Sequence, residues 1–122
     1  MGATMLKFMI HFKYSSASWA RMLAVSDDRA SAVSALLGSL GGRLECIYWD
    51  VENASGYVIC DLPDSLSAAA ALTATTRTGA FKDVEVSELL TQDQLRSVVA
   101  LAKTTESVYQ PPGMAAVEDP LG

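Results

Sequence analysis

Residues 6–14 read LKFMIHFKY, and this stretch decides the fold. Large apolar side chains occupy every second position, and period-two alternation over this length is typical of a half-buried β-strand. The more apolar side chains are expected to face a layer of helices, and the others to face away. The first set is Leu6, Phe8, Ile10, Phe12 and Tyr14, and the second is Lys7, Met9, His11 and Lys13.

The segment after this strand has a helical period. Apolar residues recur at intervals of three and four between Trp19 and Leu40, which is typical of an amphipathic helix. Residues 26–28 read Ser-Asp-Asp and interrupt the pattern, so we expect a second helical piece capped by one of the three. Gly41-Gly42 predicts the end of that helix, because glycine adopts the left-handed cap conformation without steric cost.

Four more elements are predicted beyond the glycines. Aromatic and β-branched residues predict a hairpin of two strands, followed by an Ala- and Thr-rich helix and an alternating strand. These elements cover residues 44–51, 56–62, 66–78 and 82–88. A last helix is predicted after Thr91, where Gln94 completes a capping box.

The predicted order is therefore β-α-β-β-α-β with an extra C-terminal helix. This is the split β-α-β arrangement of α+β ferredoxin-like folds. Right-handed crossovers give an antiparallel sheet in the order 4-1-3-2, with both helices on one face. The predicted domain covers residues 1–110, and residues 111–122, which begin with two prolines, are predicted to form a flexible tail.

Composition excludes several classes of protein. The formal net charge is −5 and the nine Lys and Arg residues are scattered, so nucleic-acid binding is not expected. Apolar runs are too short for a membrane span, and residues 1–13 alternate instead of forming a signal peptide. A cytoplasmic location is therefore predicted. Cys46 and Cys60 form no ligand motif and are expected to be free, although a disulfide between them stays open.

Several stretches resemble the GYD-domain family, which lies within the larger group of dimeric α/β barrels. Residues 40–45, which read LGGRLE, are the most similar. The resemblance covers roughly residues 6–113 and also includes residues 7–14, 19–22, 48–49, 61–64, 89–91 and 109–113. It implies a ferredoxin-like domain that forms a homo-oligomer, most simply a dimer joined through the sheet faces as a dimeric α/β barrel.

The motif that names the family is degenerate here. By ungapped spacing, the Gly-x-Tyr-Asp signature would fall on residues 52–55, which read Glu-Asn-Ala-Ser. Gly56-Tyr57 is displaced from that position and is followed by Val58. No role of the signature residues is therefore carried over to this chain, and the resemblance implies a fold and an oligomer far more directly than a reaction.

The sheet face away from the helices, on which Glu45, Ile47 and Trp49 of the second strand are expected to lie, is the predicted site. His11 is the sole histidine, and an imidazole can transfer protons near neutral pH. The predicted catalytic residues are His11, Tyr57 and Glu45, and the predicted substrate-binding residues are Met9, Trp49, Ile59 and Glu85. The alternatives are a structural hydrogen bond for His11, a salt bridge for Glu45 and packing for Trp49. Carboxylates without ligand spacing predict no metal site.

Two functions remain open at this point. The resemblance to dimeric α/β barrels implies a cofactor-free cyclase, isomerase or oxygenase that acts on a hydrophobic biosynthetic intermediate by acid/base chemistry. A specialised member of secondary metabolism would suit the lost signature and the presence of His11. The alternative is a non-catalytic ligand-binding or oligomeric accessory protein.

Overall fold

The computed structural model describes residues 4–25 and 27–113. The chain is an α+β protein with a four-stranded antiparallel sheet. Its strands are β1 (Leu6–Tyr14), β2 (Arg43–Asp50), β3 (Ser55–Leu62) and β4 (Phe81–Leu89), and its helices are α1 (Ser16–Ala24), α2 (Arg29–Ser39), α3 (Ser65–Thr76) and α4 (Gln92–Lys103). The chain forms two compact units, one ending at Leu89 and one beginning at Leu90.

The sheet has the strand order β2-β3-β1-β4. Read from the β4 edge, this is the order 4-1-3-2 that the sequence predicts. Strand β1 is central, and its midpoint places His11 opposite Tyr57 on β3 and Glu85 on β4. The register of β1 against its two neighbours therefore brings these three residues together near the centre of the sheet.

Side-chain caps explain where the helices begin. Asp28 accepts a hydrogen bond from the backbone N–H of Ser31 at 3.0 Å, so it is the residue of the Ser-Asp-Asp break that caps α2. Asp64 caps α3 in the same way, accepting from Ser67 at 2.8 Å. Helix α2 gives way to Gly41 at φ 81°, a backbone conformation that glycine adopts freely.

The hydrophobic core lies between the sheet and helices α1–α3. Phe8, Val58 and Leu62 on the sheet are nearly inaccessible to water, and so is Leu37 of α2. Ala68 of α3 belongs to the same cluster, and its short side chain lets that end of the helix lie close to the strands. The prediction that helices cover the apolar face of β1 is confirmed.

A β-bulge in β2 corrects the predicted facing of two residues. The register shifts between Leu44 and Cys46, so Glu45 is an extra residue on its strand. A bulge of one residue reverses the alternation beyond it. Ile47 and Trp49 therefore face the helices, and the prediction that they face away is wrong.

Trp49 packs into a space that a glycine provides. Its ring centroid lies 5.7 Å from that of Phe12 and 6.2 Å from that of Tyr14. A Cβ added at Gly56, opposite Trp49, would lie 2.7 Å from Phe12 Cζ and 3.0 Å from Trp49 Cε3. The missing side chain at Gly56 lets these rings meet on the helix side of the sheet.

Helix α4 belongs to the second compact unit. Thr91 and Gln94 form the predicted capping box, with both reciprocal hydrogen bonds present. Leu95, Val98 and Val99 lie on one side of the helix and are about half exposed. The predicted tail lies mostly outside the described residues, which end at Gly113. Among those residues, no helix has the length and apolar character to span a membrane.

Candidate functional site

The sheet face away from the helices, called the open face below, carries the predicted histidine cluster. The ring of His11 stacks on that of Tyr57, with centroids 4.3 Å apart and planes 2° from parallel. Nδ1 of His11 lies 3.8 Å from a carboxylate oxygen of Glu85. Nε2 is buried and has no hydrogen-bond partner among the described residues. The open face therefore brings together three of the predicted site residues.

Glu45 belongs to an ion-pair network at one end of the open face. It contacts Lys7, which also lies 3.0 Å from Asp61. Asp61 is buried and receives a second hydrogen bond, 3.1 Å long, from Arg43. The hydrogen bond from Lys7, aided by Arg43, holds the pKa of the Asp61 carboxyl below its usual range. Glu45 thus serves in a salt bridge, the alternative reading of its role.

The remaining predicted site residues lie in different places. Met9 and Ile59 are opposite one another on neighbouring strands, between the ion-pair network and the histidine cluster. Cys46 follows the bulge, next to Ile59, and Tyr48 pairs with Tyr57 and is 66% exposed. Trp49 is on the helix side. The middle of the open face is therefore less apolar than the sequence predicts, because two apolar residues of β2 are absent from it.

A cavity of about 590 Å³ lies on the other side of the sheet, under helices α1–α3. We call it the helix–sheet cavity. The strands contribute Ile10, Phe12, Tyr14, Val58, Phe81 and Val84 to its lining. Among the described residues that line the cavity, none is a predicted site residue. The sequence interpretation therefore placed the site on the opposite face of the sheet from this cavity.

Helix α3 explains why the space exists. Ala68 and Ala71 in the first part of the helix are buried, and neither lines the cavity. Ala74, Thr75 and Thr78 line the cavity farther along, and side chains this short do not reach across to the strands. The Ala- and Thr-rich composition of residues 66–78 is compatible with such a space, but in the sequence it indicates only a helix.

Polar groups line the cavity where β1 passes into α1 and α2. Arg21 donates through Nη2 to the hydroxyl oxygen of buried Ser18 at 3.1 Å. Arg29 forms an ion pair with Asp27, with Nη1 and Oδ2 3.2 Å apart. Burial raises the pKa of the Tyr14 hydroxyl, against the opposing influence of nearby Arg29. Sequence reasoning missed all five residues, since each lies in or beside a stretch interpreted only as a helix or a strand.

The cysteines contribute little chemistry. Both are free, as predicted, and the register places Cys46 on the open face and Cys60 on the helix side. Burial raises the pKa of the Cys60 thiol to about 11, so this thiol stays protonated and unreactive at neutral pH. No group of three or more His, Cys, Asp or Glu side chains with metal-binding geometry occurs among the described residues.

Comparison with known proteins yields one match. The family model described as GYD domain matches residues 8–99, more than half of the chain. Neither a curated protein nor a solved structure matches it.

Proposed function

The chain belongs to the GYD domain family, and from this premise we propose that it binds a small, largely apolar molecule in the helix–sheet cavity. The observation that carries the proposal is the cavity itself, about 590 Å³ in volume. Cavities of about 300–1,000 Å³ with mostly apolar walls and a few polar groups are the usual form of small-molecule sites. The proposal keeps the predicted hydrophobic ligand and moves it to the other side of the sheet.

The energetics favour an apolar occupant. Apolar side chains from the strands and from α2, such as Ile10, Val84 and Leu36, line the space. Removing apolar surface from water contributes about 25 cal/mol per Å². A ligand that covers these side chains gains that free energy. The protein does not need to reorganise to bind it, because the cavity walls are already formed.

The test reduces the cavity and measures binding of an uncharged fluorophore, N-phenyl-1-naphthylamine. Val84→Phe inserts a ring among the strand residues that line the cavity, and we expect fluorophore binding to weaken at least about tenfold, a loss of about 1.4 kcal/mol. Val86→Phe is the matched control, since Val86 lies two residues along the same strand, packs on the core and is not a lining residue.

Three results would contradict the proposal. The wild-type protein could fail to bind the fluorophore, the Val84→Phe protein could bind it as well as wild type, or both variants could lose binding equally. Circular dichroism and melting curves of both variants exclude a general loss of folding as the cause.

We also propose that the open face joins a second copy of this chain, as the family resemblance implies. Met9, Cys46 and Ile59 form an apolar centre, with Tyr48 and Tyr57 beside it and charged groups at its ends. A two-fold interface between identical sheet faces would bury this centre against its own copy. Light scattering that gives the mass of a monomer at micromolar protein concentration would contradict this proposal.

Acid/base catalysis, as in a cofactor-free cyclase, isomerase or oxygenase, is the second candidate function. The observation in its favour is His11 stacked on Tyr57 with Glu85 beside Nδ1. Binding alone requires only the cavity and is therefore the primary proposal. A compound that binds the wild-type protein and is recovered chemically changed, but unchanged from His11→Gln, would support catalysis. Recovery unchanged from both proteins would argue for the non-catalytic function.

A further inference from the structure

We propose that the molecule in the helix–sheet cavity is an apolar carboxylic acid whose carboxylate binds Arg21. This inference rests on the proposed function, because it assigns the chemistry of a ligand in the same cavity. The acid's hydrocarbon part would cover the apolar walls, and its charged end would lie at the polar wall formed by residues from β1, α1 and the start of α2.

The first argument is the balance of charge. The charged side chains among the described lining residues are Arg21, Asp27 and Arg29. Asp27 and Arg29 form an ion pair with each other. Arg21 has no carboxylate partner among residues 4–25 and 27–113. The cavity wall therefore carries one uncompensated positive charge, although the chain as a whole has a net charge of −5.

The second argument is the orientation of Arg21. Its Nη2 donates to Ser18 Oγ at 3.1 Å, and Ser18 is buried in the same cavity wall one turn earlier on α1. A guanidinium has five N–H donors in a fixed plane. Ser18 engages one nitrogen and holds the group, which leaves donors available for the two oxygens of a carboxylate. Arginine and carboxylate pair in this geometry more strongly than neutral partners do.

The third argument concerns Tyr14. This residue lines the cavity. Its hydroxyl is neutral at pH 7, since burial raises a pKa whose ordinary value is already 10.0, so it can donate a hydrogen bond to an anion. Arg29 remains close to it. The polar wall thus offers donors from Tyr14 and Arg21, and its one carboxylate, Asp27, is already paired. A cationic amphiphile would meet an unfavourable charge at this wall.

The experiment measures how well two molecules of equal chain length displace N-phenyl-1-naphthylamine from the full-length protein. Decanoate carries the carboxylate and decan-1-ol does not. We expect decanoate to displace the fluorophore at least about tenfold better, which corresponds to about 1.4 kcal/mol. High salt should reduce this preference in the wild-type protein, since a charge at an exposed cavity wall is screened.

Two variants then test the assignment to Arg21. Arg21→Gln should reduce the preference for decanoate over decan-1-ol to less than about threefold, because the charge-assisted hydrogen bonds are lost. Arg77→Gln is the control, since Arg77 is an exposed arginine at the end of α3 and is not a lining residue.

The outcomes separate this inference from the proposed function. If the fluorophore binds and decan-1-ol displaces it as well as decanoate does, the cavity is a binding site and the carboxylate inference is wrong. An unchanged preference in folded Arg21→Gln protein would also overturn it. If Arg21→Gln does not fold, a wild-type preference that is insensitive to salt would overturn it instead. Failure of the fluorophore to bind the wild-type protein would count against the proposed function itself.

Discussion

The two faces of one sheet do different work in this molecule. The helix side holds the core, with Phe8, Val58 and Leu62 nearly inaccessible to water, and it also holds the cavity. The open face holds charged and aromatic side chains, including the His11–Tyr57 stack. Residues that alternate along β1 supply both faces. Thus one strand contributes both to stability and to the surface proposed for the second copy.

The difference between the faces shows that catalytic residue types and space for a ligand can occur on opposite sides of one sheet. His11, Tyr57 and Glu85 are the residue types that catalysis uses, and the register brings them together. The space that could hold a molecule lies instead among alanines, threonines and valines. In this fold the cavity follows from side chains that are too short to fill the layer between the helices and the sheet.

The largest expected effect is the loss of the proposed dimer through Ile59→Glu. Ile59 lies at the centre of the open face, opposite Met9. Burying an unpaired carboxylate in an interface costs several kcal/mol, so the dissociation constant should rise at least about 100-fold. Leu66→Glu is the control, since Leu66 is 80% exposed on α3.

Light scattering at equal protein concentration measures the oligomeric state of wild type and both variants. We expect dimers for wild type and Leu66→Glu and a monomer for Ile59→Glu. An Ile59→Glu protein that remains a dimer would show that the copies meet through a surface other than the open face.

A smaller effect is expected from Asp61→Asn, which weakens the ion-pair network on the open face. At pH 7 the variant should lose about 1 kcal/mol of unfolding free energy, because the carboxylate that pairs with Lys7 and Arg43 is replaced by a neutral amide. Arg43 is 79% exposed and Lys7 is 40% exposed, so solvent screening keeps the loss small.

The direction of the Asp61 pKa shift determines how this stabilisation varies with pH. The pKa of folded Asp61 lies below its ordinary value of 3.8, so the unfolded chain binds the proton more readily. The stabilisation is present above that ordinary value and is lost as the pH falls through the folded pKa. Urea unfolding of wild type and Asp61→Asn should therefore converge in acid. A constant difference down to pH 2 would contradict it, and Asp83→Asn, an exposed residue on β4, is the control.

Much of the fold could be predicted because its signals are local. The alternation in residues 6–14, the caps at Asp28 and Thr91 and the glycines after α2 each act within one turn or strand. The side of the sheet on which Trp49 lies could not be predicted, since a single extra residue at Glu45 reverses the alternation of β2. Bulges have no strong sequence signature, and period-two counting passes over them.

The candidate site was harder to predict for a different reason. The register of β1 against its neighbours was sufficient to group His11 with Tyr57 and Glu85. A cavity, in contrast, depends on how far α3 stands from the strands at Ala74 and Thr75. That separation depends on the packing of three helices together, which no periodicity in one segment encodes.

The smallest expected effect concerns His11. It tests whether the imidazole makes a structural hydrogen bond, which is the alternative to a catalytic role. Nε2 is buried without a partner among the described residues, and such a group costs about 1–3 kcal/mol. His11→Phe removes that cost and keeps a ring for Tyr57, and an aromatic pair is worth about 0.5–1.5 kcal/mol. The same change loses the contact between Nδ1 and Glu85, which opposes that gain, so the unfolding free energy should stay within about 1 kcal/mol of wild type. His11→Ala, which removes the stacked ring and leaves a gap, should be less stable than either.

If His11→Phe instead loses more than about 2 kcal/mol, Nε2 has a hydrogen-bond partner that a single chain does not supply. Repeating the measurement at two protein concentrations then tests whether the partner belongs to the second copy. If it does, the loss of unfolding free energy depends on protein concentration, because the stability of a dimer does.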